Sequence, residues 1–237
     1  MEISVNYGGW NLCVDLMGGR IKELKNGGEV ILGTYQRGDG KTANTHLCLP
    51  NFANEGAEIY QLPSHGPVRN GLWKVVEQKR NSLKIEFEFE KVGIYPGRIS
   101  VCQNFVLKNN LFLHRIVVKN NGSSVPLNLG IHNYLEASSG WKGLEINGKN
   151  MDEKVEASGY VVLMNNNTIG IPGLRRLRWG VNGFKYAKLW VGNGDNRYIC
   201  IEPVKDKEGF IETPESVVRG GETLSFYQKI SIGGAGF

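Results

Sequence analysis

Cysteine is scarce in this chain and badly spaced for chemistry that needs it in pairs. The 237 residues hold four, Cys13, Cys48, Cys102 and Cys200, and none forms a C-x-x-C pair. That removes the usual zinc-ribbon and dithiol redox signatures. Cys13, Cys102 and Cys200 stand beside apolar residues and read as buried thiols. Histidine is as sparse, with four residues and no H-x-H or H-E-x-x-H pair, so no metal site is expected. Long apolar runs are missing too, and nothing approaches the roughly 20 residues a membrane-spanning helix needs. The opening MEISVNYGG has neither a basic region nor an apolar core, so a cytoplasmic location is expected. Charge is nearly balanced, 28 basic against 23 acidic residues for a net +5. This does not call for nucleic acid. The one dense basic run, Arg175-Arg176-Leu177-Arg178, has no interleaved aromatics and reads as a solvated turn.

Helical periodicity is the remaining absence. Only Met151 to Ala157 could form a turn or two of helix. What the chain does have is alternation and glycine. Lys84 to Glu90 alternates strictly, with Ile85, Phe87 and Phe89 facing one way and Lys84, Glu86, Glu88 and Glu90 the other, the mark of a half-buried strand. Asn11 to Asp15, Arg20 to Lys25, Glu29 to Leu32, Gln103 to Lys108, Leu111 to Lys119, Pro126 to Tyr134, Lys185 to Val191, Tyr198 to Pro203 and Thr223 to Ile232 read as further strands. Many of the 32 glycines fall between them, as tight turns require. Many short strands with turn signals between them imply an all-β sandwich or barrel. No repeat or linker divides the chain, so one domain over 1–237 is expected.

Three distant segments place proton-transferring side chains in apolar, strand-like frames. In Tyr198-Ile199-Cys200-Ile201-Glu202-Pro203, strand alternation puts Tyr198, Cys200 and Glu202 on one face. A carboxylate there is partly desolvated, which raises its pKa toward neutral and suits a general base. In Leu127 to Tyr134, the residues Asn128, Gly130, His132 and Tyr134 share a polar, aromatic face of the kind a sugar ring prefers. In Ser64 to Gly71, Pro67 and two glycines hold His65 and Arg69 close together, and Arg69 can grip a phosphate or carboxylate with two hydrogen bonds. Each motif alone also fits a structural role: a rim glutamate, a satisfied histidine, a local turn. His114, between Phe112 and Ile116, reads as a sheet or core histidine. His46 follows a polar loop and is expected to be exposed, and the four histidines are not expected to cluster.

Taken in order, Gly18-Gly19-Arg20-Ile21, Leu62-Pro63-Ser64-His65-Gly66-x-x-Arg69-Asn70-x-x-Trp73, the His-x-Tyr of Leu129 to Tyr134, and Cys200-Ile201-Glu202-Pro203 resemble the aldose 1-epimerase (galactose mutarotase-like) superfamily. The Arg-Asn that follows the first histidine resembles the hexose-6-phosphate mutarotase branch. The resemblance implies a large antiparallel β-sandwich that interconverts the α and β anomers of an aldohexose or hexose 6-phosphate. It implies Glu202 as base, His132 as acid and His65 as a stabilising donor, with Arg69, Asn70, Tyr134 and Phe52 contacting the substrate. It implies no cofactor, a small sugar or sugar phosphate as partner, and a monomer or homodimer. Glu202 and His132 are expected to stand apart with room for a pyranose between them. The branch usually carries a second arginine shortly after its Pro-x-Phe segment, and Pro50-Asn51-Phe52-Ala53-Asn54 has none. Two alternatives stand beside this reading: a carbohydrate-binding or regulatory module on the same fold, and an enzyme of this fold with another sugar reaction.

Overall fold

The computed structural model describes residues 1–54, 57–192, 194–207 and 216–232. Two large antiparallel sheets pack face to face. The ten-stranded sheet runs Glu2–Tyr7, Trp10–Asp15, Arg20–Asn26, Glu29–Leu32, Tyr134–Glu136, Tyr198–Val204, Gly130–His132 and His46–Cys48. Tyr186–Trp190 also pairs with Tyr198–Val204 and carries Tyr160–Val162 on its far side. The nine-stranded sheet runs Lys149–Asn150, Glu145–Ile146, Asn166–Gly170, Leu177–Asn182, Thr223–Ile232, Leu111–Asn120, Tyr95–Lys108, Ser82–Val92 and Lys74–Lys79. The chain is thus all-β, as its alternation implies, and of the two architectures left open it is the antiparallel sandwich that the resemblance implies. No helix among the described residues is long and apolar enough to cross a membrane.

The core fills the space between the sheets. Leu12, Leu24 and Ile31 reach it from one side, and Ile99, Phe105, Phe112 and Ile116 from the other, all fully buried. Side chains of this size contribute about 1.5–3 kcal/mol each on burial. The alternation at Lys84 holds in the strand Ser82–Val92: Leu83, Ile85 and Phe89 are buried, while Phe87 is half-buried and stacks on Trp73 at 5.6 Å. Met151 to Ala157 contains the short helix Asp152–Glu156.

Three readings need correcting. Pro126 to Tyr134 is not one strand but breaks into Val125–Pro126, Gly130–His132 and, beyond Asn133, Tyr134–Glu136. The last break has a polar cause: Asn133 turns its amide into the core, donating to Gln228 Oε1 at 3.0 Å and to the Ile201 carbonyl at 3.2 Å. Cys13 and Cys102 are half-buried, whereas Cys48 and Cys200 are buried, and none of the four is in a disulfide. The basic run is only half a turn: Arg175 and Arg176 are exposed and ion-paired to Glu29 and Glu145, while Leu177 is buried and Arg178 half-buried in the strand Leu177–Asn182.

A chain of buried polar side chains crosses the core and ties the two sheets together. Gln103 donates to the Gly19 carbonyl at 3.1 Å and accepts from His114 Nε2 at 2.9 Å. Gln228 lies 3.4 Å from His114 Nδ1, accepts from Trp179 Nε1 at 3.2 Å, and exchanges two hydrogen bonds with Asn133. His114 is therefore the core histidine expected, held neutral because burial drops its pKa to about 3. A buried network of this kind is stable only when nearly every member is satisfied, so it fixes the backbone at Asn133 and Ile201. Those residues directly adjoin His132 and Glu202.

Candidate active site

His132 and Glu202 lie on the outer face of the ten-stranded sheet, opposite the core. Strand alternation puts them there: Ile131 and Ile201 point inward, His132 and Glu202 outward. Nε2 of His132 lies 3.5 Å from Oε1 of Glu202, and both side chains are buried. The expected gap for a pyranose between them is absent, because the two strands run side by side and bring the groups into direct contact. The distant segments nonetheless converge on one site.

Burial pushes the Glu202 carboxyl up to about 8, against an opposing pull from the Lys188 ammonium opposite it. Burial also holds His132 well below the ordinary imidazole range, and His46, His65, Arg69 and Arg37 reinforce the effect. Both shifts favour the uncharged forms, a protonated carboxyl beside a neutral imidazole, and two groups this close titrate as a unit. With Nε2 facing Glu202, the other ring nitrogen of His132, Nδ1, is buried and has no hydrogen-bond partner among the described residues.

His65 closes over this pair from its loop. Its ring centroid is 5.4 Å from that of His132. The residue sits at φ 62°, in the left-handed region, a strained conformation for a non-glycine residue. The following Gly66 is at φ 78°, and a Cβ there would lie 1.8 Å from the Leu49 carbonyl oxygen. Nδ1 of His65 accepts from the Ala53 amide at 3.3 Å and lies 3.0 Å from Cys48 Sγ. That leaves the ring hydrogen on Nε2, directed away from these partners. Burial, with Arg69 adding, lowers the His65 pKa to about 4, so the ring is neutral.

Arg69 ends the short 3-10 turn Pro67–Arg69, and its buried Nε has no partner among the described residues. Its carbonyl accepts two hydrogen bonds from Arg20, at 3.1 and 2.9 Å. Arg20 also donates to Asn70 Oδ1 at 3.0 Å. Asn70 is exposed and braces the loop through its side-chain oxygen. Phe52 is fully buried behind His65, edge-on to its ring, and fills the space left by the missing side chain of Gly130. Tyr134 stacks on His132 at 4.6 Å and 10°, so one of its faces is taken by the imidazole.

Sequence reasoning missed several neighbours. His46 is buried, not exposed, and stacks on His132 at 5.0 Å, so three of the four histidines cluster. The register pairing His132 with His46 brings this about, and no local pattern announces a pairing 86 positions apart. Arg37, on the hairpin formed by Tyr35–Gln36 and Thr42–Ala43, lies 5.0 Å over the Trp190 ring and pairs with Asp39 at 2.9 Å. Trp190 meets His132 edge-on at 5.8 Å. In the sequence Arg37-Gly38-Asp39-Gly40 looks like an ordinary polar turn.

A groove of about 460 Å³ lies elsewhere, on the nine-stranded sheet, lined among others by Lys74, Glu86, Ser100 and Cys102. It holds no imidazole. Among the described residues seven buried side-chain atoms have no partner, and three of them, His132 Nδ1, His46 Nε2 and Arg69 Nε, mark the histidine cluster as a place where a polar ligand would be welcome.

The family model described as aldose 1-epimerase matches residues 17–168. A galactose mutarotase-like protein from Lactobacillus casei superposes with a TM-score of 0.81 at 13% identity, covering 98% of this chain and 100% of its own. A galactose mutarotase-like protein from Clostridium acetobutylicum gives 0.76 at 17% identity, with 99% and 95% covered. Galactose 1-epimerase from Lactobacillus acidophilus gives 0.67 at 13% identity, with 97% and 93% covered. No curated protein sequence matches.

Proposed function

The chain belongs to the aldose 1-epimerase family, and from that premise we propose that it interconverts the α and β anomers of a hexose by acid/base ring opening at Glu202 and His132. The observation that carries this reading is the 3.5 Å contact between a buried carboxyl and a buried imidazole. Ring opening needs a base for the anomeric hydroxyl and an acid for the ring oxygen. Both oxygens are bonded to C1, so the two groups serving them must be close neighbours. They need not stand on either side of the ring.

The pair arrives with one proton. Transfer across the contact gives carboxylate and imidazolium. Glu202 takes the proton of the anomeric hydroxyl, and His132 gives its own to the ring oxygen. The C1–O5 bond breaks as C1 becomes a carbonyl. Rotation about C1–C2 and closure on the opposite carbonyl face return both protons, and the pair ends as it began. His65, with its hydrogen on Nε2, donates to the sugar beside the reacting centre. Only protons move between enzyme and sugar. Polarimetry on α-glucose, α-galactose and glucose 6-phosphate tests the activity: equilibration faster than in buffer is expected, and binding without acceleration would favour a carbohydrate-binding module.

The shared proton fixes the pH dependence. Kinetic efficiency, kcat/KM, is expected to hold steady through neutral pH. Above pH 8 it is expected to fall by about tenfold per unit, as the pair loses its only proton. A profile that climbs through 8 would show that the carboxyl works ionised and alone.

The finer reading is a phosphorylated sugar held by Arg69, with Arg37 supplying the second cation that the Pro50 to Asn54 segment lacks. Arg69→Ala is then expected to raise KM for glucose 6-phosphate about 10- to 100-fold more than for glucose, the range for losing a charged hydrogen bond. Equal losses on both sugars would remove the phosphate assignment.

A further inference from the structure

We propose that His46, Cys48 and His65 form a binding site for a borderline-soft divalent metal ion of the zinc class. The proposal does not depend on the mutarotase reading. One ligand atom from each of the three residues lies within 4.8 Å of the others. His46 and Cys48 alternate on the strand His46–Cys48, so both project from the same face, and the His65 loop folds down onto them. The closest approach is 3.0 Å, between Cys48 Sγ and His65 Nδ1.

His46 is already oriented as a ligand. Its Nδ1 donates to the Asn44 carbonyl at 2.8 Å. That places the lone pair on Nε2, which is buried and without a partner among the described residues. Metal-bound histidines are typically fixed in this way, one ring nitrogen donating to a backbone carbonyl and the other facing the ion. The electronic match is also good: two imidazoles and a thiol suit zinc and its neighbours, while calcium and magnesium require oxygen. Binding would replace the Cys48 S–H by a thiolate–metal bond and release that proton to solvent. His65 Nδ1 would exchange the Ala53 amide for the ion. Three protein donors leave the fourth tetrahedral position open, as in zinc sites that take a solvent or substrate oxygen.

A second set, His132, Cys200 and Glu202, is equally compact. It is the poorer candidate. Burial raises both the Cys200 thiol and the Glu202 carboxyl, so a cation there must displace two tightly held protons instead of one.

Cobalt(II) titration of the whole chain separates the possibilities. One equivalent is expected to bind with a thiolate-to-cobalt charge-transfer band and tetrahedral visible bands. Calorimetry in buffers of different ionisation enthalpy is expected to show release of one proton. Cys48→Ser should abolish the charge-transfer band, and His46→Asn should weaken binding by at least about 10-fold. Cys200→Ser should leave both unchanged. Circular dichroism establishes that each variant folds, and if Cys48→Ser does not, His46→Asn decides. The absence of stoichiometric binding, a band that survives Cys48→Ser, full affinity in His46→Asn, or a band lost in Cys200→Ser would each overturn the proposal.

Discussion

Replacing Glu202 with glutamine is expected to slow catalysed anomer interconversion by about 10²–10⁴-fold, the usual share of a positioned acid/base group. The expectation rests on how little else the change disturbs. Across neutral pH the carboxyl is already uncharged, because burial lifts its pKa to about 8. A neutral amide of nearly the same shape therefore replaces a neutral acid. It retains a donor toward His132 Nε2, 3.5 Å from the present oxygen, but it can neither surrender nor receive the shared proton. Thermal stability should stay close to wild type at pH 7, while the rate collapses. A variant that loses its fold instead would mean that the carboxyl is structural. A variant that keeps its rate would remove Glu202 from the chemistry.

The second large effect is expected at Gly66. Alanine there is expected to destabilise the chain by about 4 kcal/mol or more, at the severe end for a single substitution. Two causes combine. The backbone is at φ 78°, and the added Cβ would lie 1.8 Å from the Leu49 carbonyl oxygen, a backbone atom with little freedom to retreat. The Leu49 amide also donates to the His65 carbonyl at 3.3 Å, so the strain falls on the loop that seats His65. Activity should fall even in the fraction that remains folded. Denaturant unfolding with an anomerisation assay on the same samples checks both. A midpoint within error of wild type would show that the loop tolerates the displacement.

The fold was legible where one face of a strand is buried and the other wet. Ser82–Val92 and Thr223–Ile232 carry plain period-two patterns, and the pattern gives an all-β chain, leaving sandwich or barrel to the family resemblance. Glu202 and His132 were legible for the same reason, each being a titratable residue at an outward position in an otherwise apolar strand. What resisted reading depends on register between distant strands. His46 looks exposed beside its polar loop, and only its pairing with His132 buries it. Gln103, His114, Gln228 and Asn133 look like four unrelated polar residues until the two sheets close and each finds its partner. Asn70 gives no local hint that Arg20, fifty positions earlier, binds its side-chain oxygen.

The most direct test of the account is exchange spectroscopy on an equilibrium mixture of α and β hexose in the presence of the protein. Magnetisation transfer between the two C1 signals reads ring opening and closure without a coupling enzyme. The account predicts transfer that rises with protein concentration, saturates with sugar and vanishes in the Glu202→Gln variant. Transfer no faster than in buffer, with the sugar demonstrably bound, would contradict it.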